Sequence, residues 1–129
     1  MALYGIVSDI HGNLQAFRAA ADFLLQERGV DRIVCLGDIV GYNADPDACV
    51  ELTRELAIDA VAGNHDLVAV GALGLARCAL RPRVALQQTR RVLSDASRRA
   101  LSLLPCRRVI EGDVVLVHGG FHDVFQYVT

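Results

Sequence analysis

The chain has 129 residues, a formal net charge of −2 and 53% hydrophobic residues. This length fits one domain with a sizeable core, and the charge includes no basic block, so a nucleic-acid-binding face is not expected. We expect neither a signal peptide nor a membrane span, because the longest uncharged apolar stretch covers only residues 67–76. Four widely spaced cysteines are typical of reduced thiols, and we expect a cytoplasmic protein.

Strands and helices alternate in the first half of the chain. Three apolar runs predict strands buried on both faces: residues 3–8, 32–36 and 58–62. Helical periodicity predicts one helix that Asn13 caps and Gly29 ends, and a second over residues 45–56. This alternation predicts right-handed crossovers and an α/β fold with mostly parallel strands and flanking helices.

The second half begins with a different pattern. Small apolar residues over 67–80 indicate a short helix or cap segment near the site. Two helices are predicted over residues 83–93 and 96–104, and Ser94 is placed to cap the second. A β-hairpin follows, with its strands over residues 106–110 and 114–117.

Four polar motifs stand directly after apolar strands. They are Asp9-Ile10-His11, Gly37-Asp38, Gly63-Asn64-His65-Asp66 and Val117-His118-Gly119-Gly120. Residues just past the carboxyl ends of strands gather at one edge of an open α/β sheet, where ligands bind. The mixture of oxygen and nitrogen donors suits divalent transition metals better than Mg²⁺ or Ca²⁺. The motifs therefore predict a metal site.

Each donor has a chemical reason to bind an ion. Asp9 and His11 stand two apart, so in an extended chain both side chains leave on the same side and can hold one metal. The Asp38 carboxylate can bridge two ions, while Asn64 offers an amide oxygen and His118 an imidazole nitrogen. A metal pair roughly 3.5–4 Å apart can clamp a phosphate and generate hydroxide at neutral pH.

The other polar residues of the motifs have different interpretations. In an extended chain His65 points away from Asn64, toward substrate, as a proton donor or a positive charge. Asp66 is interpreted as a structural acid. The alternatives are ordinary turn and capping chemistry for the Asp and Asn residues, and a core histidine for His118.

The motif order D-x-H, GD, GNHD and H-G resembles that of the calcineurin-like metallophosphoesterases, especially the small bacterial phosphodiesterase-like branch that begins SDIHGN. The resemblance implies a metallophosphoesterase-type sandwich, with residues 1–129 as one domain forming the N-terminal part of the family fold. It also implies a pair of Mn, Fe, Zn or Ni ions and the following site: Asp9 and His11 on the first metal, Asp38 bridging, Asn64 and His118 on the second, and His65 as the catalytic histidine.

The chain departs from this family pattern in two places. The protein-phosphatase branch carries an arginine just after its GD motif, whereas residues 39–43 contain none, which argues against a phosphoprotein phosphatase. Tyr42 and Asn43 are candidates for lining the pocket. The late G-H-x-H motif, which supplies a further histidine to each metal, is absent, although His122 could replace one of these ligands.

The missing motif leads to three expectations. The fold should be incomplete at the C-terminus, so that an apolar sheet face is exposed. A homo-oligomer or a complementing chain should cover that face. Metal occupancy should be partial.

The sequence thus favours a metal-dependent phosphoesterase that cleaves phosphomonoester or phosphodiester substrates through a metal-bound hydroxide. The alternative is a truncated, catalytically inactive family remnant that acts as a binding or interaction module. A nucleotide-binding α/β domain is disfavoured, because residues 8–13 contain neither G-x-G-x-x-G nor a P-loop lysine.

Overall fold

The computed structural model describes residues 1–127, which form a mixed α/β structure. Its strands are β1 (Tyr4–Val7), β2 (Arg32–Cys35), β3 (Asp59–Ala60), β4 (Arg107–Ile110) and β5 (Val114–Val117). Its α-helices are α1 (Leu14–Asp22), α2 (Pro46–Glu55), α3 (Asn64–Ala69), α4 (Leu80–Val92) and α5 (Asp95–Ser102). Within this range every helix is too short or too polar to cross a membrane.

The strands form two small sheets. β1, β2 and β3 are parallel in that order, with Val7 opposite Cys35 and Cys35 opposite Ala60. β4 and β5 form an antiparallel hairpin. The parallel strands and flanking helices confirm the predicted α/β class, and the two crossovers run through α1 and α2 as the sequence indicates.

The core lies between one face of the parallel sheet and the helices. Phe17 of α1, Val50 of α2, Leu86 of α4 and Leu101 of α5 belong to one buried cluster with Cys35 of β2. On the opposite face, the hairpin residue Leu116 packs with Val34 and Val61. The two layers position the ends of β1, β2, β3 and β5 at one edge of the molecule.

The helix boundaries follow local capping chemistry. The Asn13 side chain accepts a hydrogen bond from the Ala16 N–H at 3.1 Å, so Asn13 caps α1 as predicted. After α1 the chain continues through a π-helical turn, Phe23–Glu27, where Leu24 packs on Gly5 of β1. The Ser94 hydroxyl caps α5 by accepting from the Ser97 N–H at 3.1 Å.

The expectation that the strands are buried on both faces is wrong for β1. Ile6 is 63% exposed, although its partner Val34 in β2 is buried. The reason is that the hairpin covers Val34 and Val61 on this face but does not reach Ile6. Val109 and Val114 of the hairpin are also exposed. That a second copy or another chain covers these apolar residues stays a prediction.

Candidate metal centre

The structure brings all six sequence-predicted site residues around one cavity of about 180 Å³. They reach it from four segments: Asp9 and His11 after β1, Asp38 after β2, Asn64 and His65 at the start of α3, and His118 after β5. The loops are joined by backbone hydrogen bonds, from Asp9 N–H to the Gly37 carbonyl at 3.0 Å and from His11 N–H to the Asp38 carbonyl at 2.9 Å. The site therefore stands at the carboxyl ends of the strands.

The loops at the site are not extended, contrary to the prediction from sequence. Asp9, His11, Asp38 and Tyr42 adopt left-handed backbone conformations with φ between 51° and 56°. Such φ values are uncommon for residues other than glycine and persist where the surrounding structure enforces them. Asp9 and His11 nevertheless converge, because the turn between them brings His11 Nε2 to 3.5 Å from Asp9 Oδ1.

The Asp38 carboxylate lies between two histidines. Its Oδ2 atom is 3.7 Å from His11 Nε2 and 3.5 Å from His118 Nε2. On the far side, His118 Nε2 is 2.9 Å from Asn64 Oδ1. Asp38 is also deeply buried, and this burial raises its pKa to about 7, partly opposed by the hydrogen bond from the His65 N–H. A buried carboxylate shared by two imidazoles has a strong need for a positive charge.

The hydrogen bonds of the histidines direct one ring nitrogen of each into the cavity. The Nδ1 atoms of His11 and His118 lie 3.3 Å from the Val40 carbonyl and 2.7 Å from the Leu36 carbonyl, and each donates its N–H there. Nε2 of each ring then presents a lone pair, and the His118 lone pair meets the Asn64 carbonyl oxygen. Two acceptors that face each other suit ligands of a shared cation.

The donors divide into two groups that share Asp38. Ligand atoms of His11, Asp38 and His65 lie within 4.8 Å of one another, and so do those of Asp9, Asp38 and His118. The shared carboxylate agrees with a bridging position. The ligand sets expected from the sequence differ from these two groups, because they paired Asp9 with His11 and assigned no metal to His65. The donor set as a whole fits a pair of divalent transition metals.

His65 lines the cavity, but its backbone is helical and not extended as predicted. It lies in the first turn of α3, where its N–H donates to Asp38 Oδ1 at 2.9 Å. Its buried ring packs against His11 and Tyr42, with centroids 4.7 Å and 4.9 Å away. Within residues 1–127 its Nδ1 atom has no hydrogen-bond partner. Burial, together with the nearby His11 and His118 rings, lowers the pKa of His65 to about 4, so the ring is neutral at pH 7.

Asp66 holds the loops of the site together. Its carboxylate accepts hydrogen bonds from three backbone N–H groups: those of Asp38 at 2.8 Å, Gly63 at 2.9 Å and Val40 at 3.1 Å. Burial and the nearby Asp38 carboxylate raise the pKa of Asp66 to about 7. This fully buried side chain faces backbone donors and acts as the structural acid that the sequence indicated.

Gly63 is required by the close approach of two loops. A Cβ atom at this position would overlap the Asp38 carboxylate and backbone nitrogen. We expect Gly63→Ala to displace Asp38 and lower the free energy of unfolding by about 1–3 kcal/mol, because overpacking forces backbone shifts. Urea denaturation measures this change. Gly74→Ala is the matched control, since Gly74 has φ −77° and its nearest neighbour would be 4.0 Å away. Equal losses in both variants would contradict this steric explanation.

The last described residues also line the cavity, which the sequence did not indicate. Residues 124–127 contribute to its wall, and Phe125 lies against the main core rather than fully in solvent. Arg77 holds this segment, since its guanidinium is 3.2 Å from the Asp123 carboxylate and 4.1 Å from the Phe125 ring centroid. His122 is exposed and belongs to neither donor group of residues 1–127, so the structure does not bring it to the metal centre. Val128 lies outside the described residues.

Known proteins are similar to this chain in sequence and in fold. The model of the calcineurin-like phosphoesterase family matches residues 3–128. A metallophosphoesterase from Sphaerobacter thermophilus has a similar structure, with a TM-score of 0.77 and 39% identity over 99% of this chain and 52% of the other. An uncharacterized protein of Methanocaldococcus jannaschii is 38% identical over 81% of this chain and 42% of its own length.

A symmetrical bis(5'-nucleosyl)-tetraphosphatase of Nitrosospira multiformis is 31% identical over 93% of this chain and 44% of its own length. The chain therefore spans about half the length of these relatives. The family match covers nearly every residue and includes all four motifs that meet at the cavity. This chain belongs to the calcineurin-like phosphoesterase family.

Proposed function

We propose that the protein is a metal-dependent phosphoesterase that hydrolyses phosphomonoester or phosphodiester bonds at the cavity beside Asp38. The observation that carries this proposal is the buried Asp38 carboxylate between two imidazoles whose Nε2 atoms converge on it at 3.7 and 3.5 Å. A neutral pocket for an organic ligand would not need this arrangement. The family of the chain and the names of its relatives support the same reaction class.

The donors present can hold two ions. In this proposal Asp9, His11 and Asp38 bind the first metal, and Asp38, Asn64 and His118 bind the second. Such a pair would supply positive charge for the phosphate oxygens and would make a water molecule acidic enough to serve as the nucleophile at neutral pH. Imidazole and carboxylate together suit Mn, Fe, Zn or Ni. The further histidine that the late G-H-x-H motif of the family supplies to each metal is not provided by residues 1–127. Partial occupancy of the metal sites is therefore part of the proposal.

His65 would act as a neutral hydrogen-bond donor. Its ring stands against His11 at the same cavity, and its lowered pKa means that it carries no positive charge at pH 7. One ring nitrogen retains its proton and can donate to a phosphate oxygen or to the departing alkoxide. Of the two roles predicted from sequence, the donor is therefore favoured over the positive charge.

The test is hydrolysis of p-nitrophenyl phosphate with added Mn²⁺. We expect the wild-type chain to turn over this ester and His65→Ala to reduce kcat by roughly 10²–10³-fold, as for loss of one donor to the charged phosphate oxygens, since p-nitrophenolate departs without a proton. Elemental analysis should show unchanged metal content in this variant. His122→Ala is the matched control, since His122 is an exposed histidine outside the centre, and it should keep full activity.

Other outcomes of this test would contradict the proposal in distinct ways. Loss of metal from His65→Ala would make His65 a ligand instead of a donor. Bound metal without turnover in the wild-type chain would favour a catalytically inactive binding module.

A further inference from the structure

We propose that a second cavity, adjoining the metal centre, receives an aromatic ring of the substrate and stacks it on Tyr42. This cavity has a volume of about 370 Å³ and lies between α1 and the loop that follows β2. The ligand expected there is a phosphate ester or phosphonate that carries a flat aryl or nucleobase group. The inference rests on the proposed function, in that the phosphate is taken to bind at the metal centre.

The two cavities are neighbours. Asp9, His11 and Tyr42 contribute to the walls of both. The cavity at the metal centre, about 180 Å³, has room for a phosphate and its ions but little more, whereas pockets for organic ligands start at roughly 300 Å³. A group esterified to a phosphate at the centre would therefore enter the second cavity directly.

Tyr42 is a pre-positioned aromatic surface. Half of the residue is exposed, yet its ring contacts His11 edge-on at 4.8 Å and His65 at 4.9 Å between centroids. Its backbone is left-handed, with φ 56°, and is held there by the Asn43 N–H and side-chain amide, which both donate to the His11 carbonyl at 3.0 Å. A large exposed ring that the loop fixes in place costs little entropy when it stacks on a ligand.

The opposite wall leaves space for a ring. Ala16 and Ala20 stand one helical turn apart on α1 and line the cavity with methyl groups. Longer side chains at these positions would fill the space opposite Tyr42. Asn43 adds a polar edge, and because its side-chain amide already binds the His11 carbonyl, its Oδ1 atom is the acceptor left for a ligand. Other polar residues, among them Asp9, also border the cavity. An apolar wall opposite Tyr42 with acceptors beside it suits a flat ring that carries donors.

The experiment measures binding to the Zn²⁺-loaded chain by calorimetric titration. Phenylphosphonate should bind about three- to tenfold more tightly than methylphosphonate, as a stacked aromatic pair contributes. The phosphonate analogue of adenosine 5'-monophosphate should likewise bind more tightly than that of ribose 5-phosphate if the ring is a nucleobase, and neither phosphonate is hydrolysed during the titration. A preference for one of the two aromatic ligands supports the inference and identifies the ring. Equal affinities within both pairs would overturn it.

Two variants on the same helix supply the matched comparison. Ala16→Leu fills the cavity from α1 and should reduce the aromatic preference to below twofold. Ala19→Leu adds the same bulk at an exposed position outside the cavity and should keep the preference. Tyr42→Phe should also keep it, whereas Tyr42→Leu should abolish it; if the latter does not fold, Ala16→Leu still decides. An unchanged preference in Ala16→Leu would overturn the assignment.

Failure of this inference can be told apart from failure of the proposed function. A chain that binds phenylphosphonate preferentially but does not hydrolyse p-nitrophenyl phosphate retains the aromatic site and loses the catalytic proposal. A chain that hydrolyses the ester with no aromatic preference retains the catalytic proposal alone.

Discussion

Replacing Asp38 by asparagine should remove metal and activity while leaving the metal-free protein folded. The fold should persist because the asparagine oxygen can still accept the His65 N–H that Asp38 Oδ1 accepts at 2.9 Å. The new amide group then faces His11 and His118, where Asp38 Oδ2 lies, and an amide is a poor substitute for a bridging carboxylate. We expect Mn²⁺-dependent turnover to fall at least about a hundredfold, because mutation of a residue that only orients a metal ligand already lowers metal affinity or activity by 10–100-fold.

Without metal, the same Asp38→Asn substitution should stabilise the protein. Burial raises the pKa of Asp38 to about 7 from an ordinary value of 3.8, so the folded chain binds this proton more tightly than the unfolded chain. The resulting stability is present at low pH and is lost as the pH rises through 7. In EDTA at pH 8, the free energy of unfolding of Asp38→Asn should therefore exceed that of the wild type by roughly 1–3 kcal/mol. The stability of the variant should also depend less on pH between 5 and 8.

Urea denaturation with and without Mn²⁺ measures both effects. Asp22→Asn, an exposed acid at the end of α1, is the control and should leave metal content, activity and pH dependence unchanged. An Asp38→Asn protein that retains two metals per chain would show that Asp38 does not bridge them.

The sequence predicted where the site residues meet because strand ends are encoded locally. Apolar runs followed at once by a polar motif placed Asp9, Asp38 and His118 at one edge of the sheet, and the structure brings them together there. The same holds for the caps of α1 and α5, since Asn13 and Ser94 act on neighbours three residues away. Short-range chemistry of this kind is visible in the chain itself.

What the sequence did not show depends on contacts between distant segments. The left-handed turns at Asp9 and Asp38 are imposed by hydrogen bonds between loops, so a single motif read as extended chain gave the wrong local geometry. The early start of α3 follows from Asp66, which caps the Gly63 N–H while also binding the loop after β2. Phe125 contacts Arg77, which lies far away in sequence, and packs on the main core.

Removal of the Asp66 side chain should have the largest effect on stability. Asp66→Ala leaves the N–H groups of Asp38, Val40 and Gly63 buried without their acceptor. Each unsatisfied donor costs about 1–3 kcal/mol, so we expect the free energy of unfolding to fall by about 3 kcal/mol or more. The measurement is urea denaturation near pH 4. Close to the ordinary carboxyl pKa of 3.8, the unfolded chain also holds much of the Asp66 proton that the folded chain holds, so relief of the burial penalty contributes little there.

Asparagine at this position separates positioning from folding. Asp66→Asn keeps one oxygen for the two N–H groups that Oδ2 binds, but its amide then opposes the Val40 N–H. The Val40 carbonyl in turn orients His11 through Nδ1, so this variant should fold and yet bind Mn²⁺ about 10–100-fold more weakly. Asp47→Asn is the control, because Asp47 also accepts backbone and side-chain hydrogen bonds, from Ser94, but lies away from the site. If Asp66→Asn bound Mn²⁺ as tightly as Asp47→Asn and the wild type, Asp66 would stabilise the fold alone. The contacts from its carboxylate through Val40 to His11 would then contribute nothing to metal affinity.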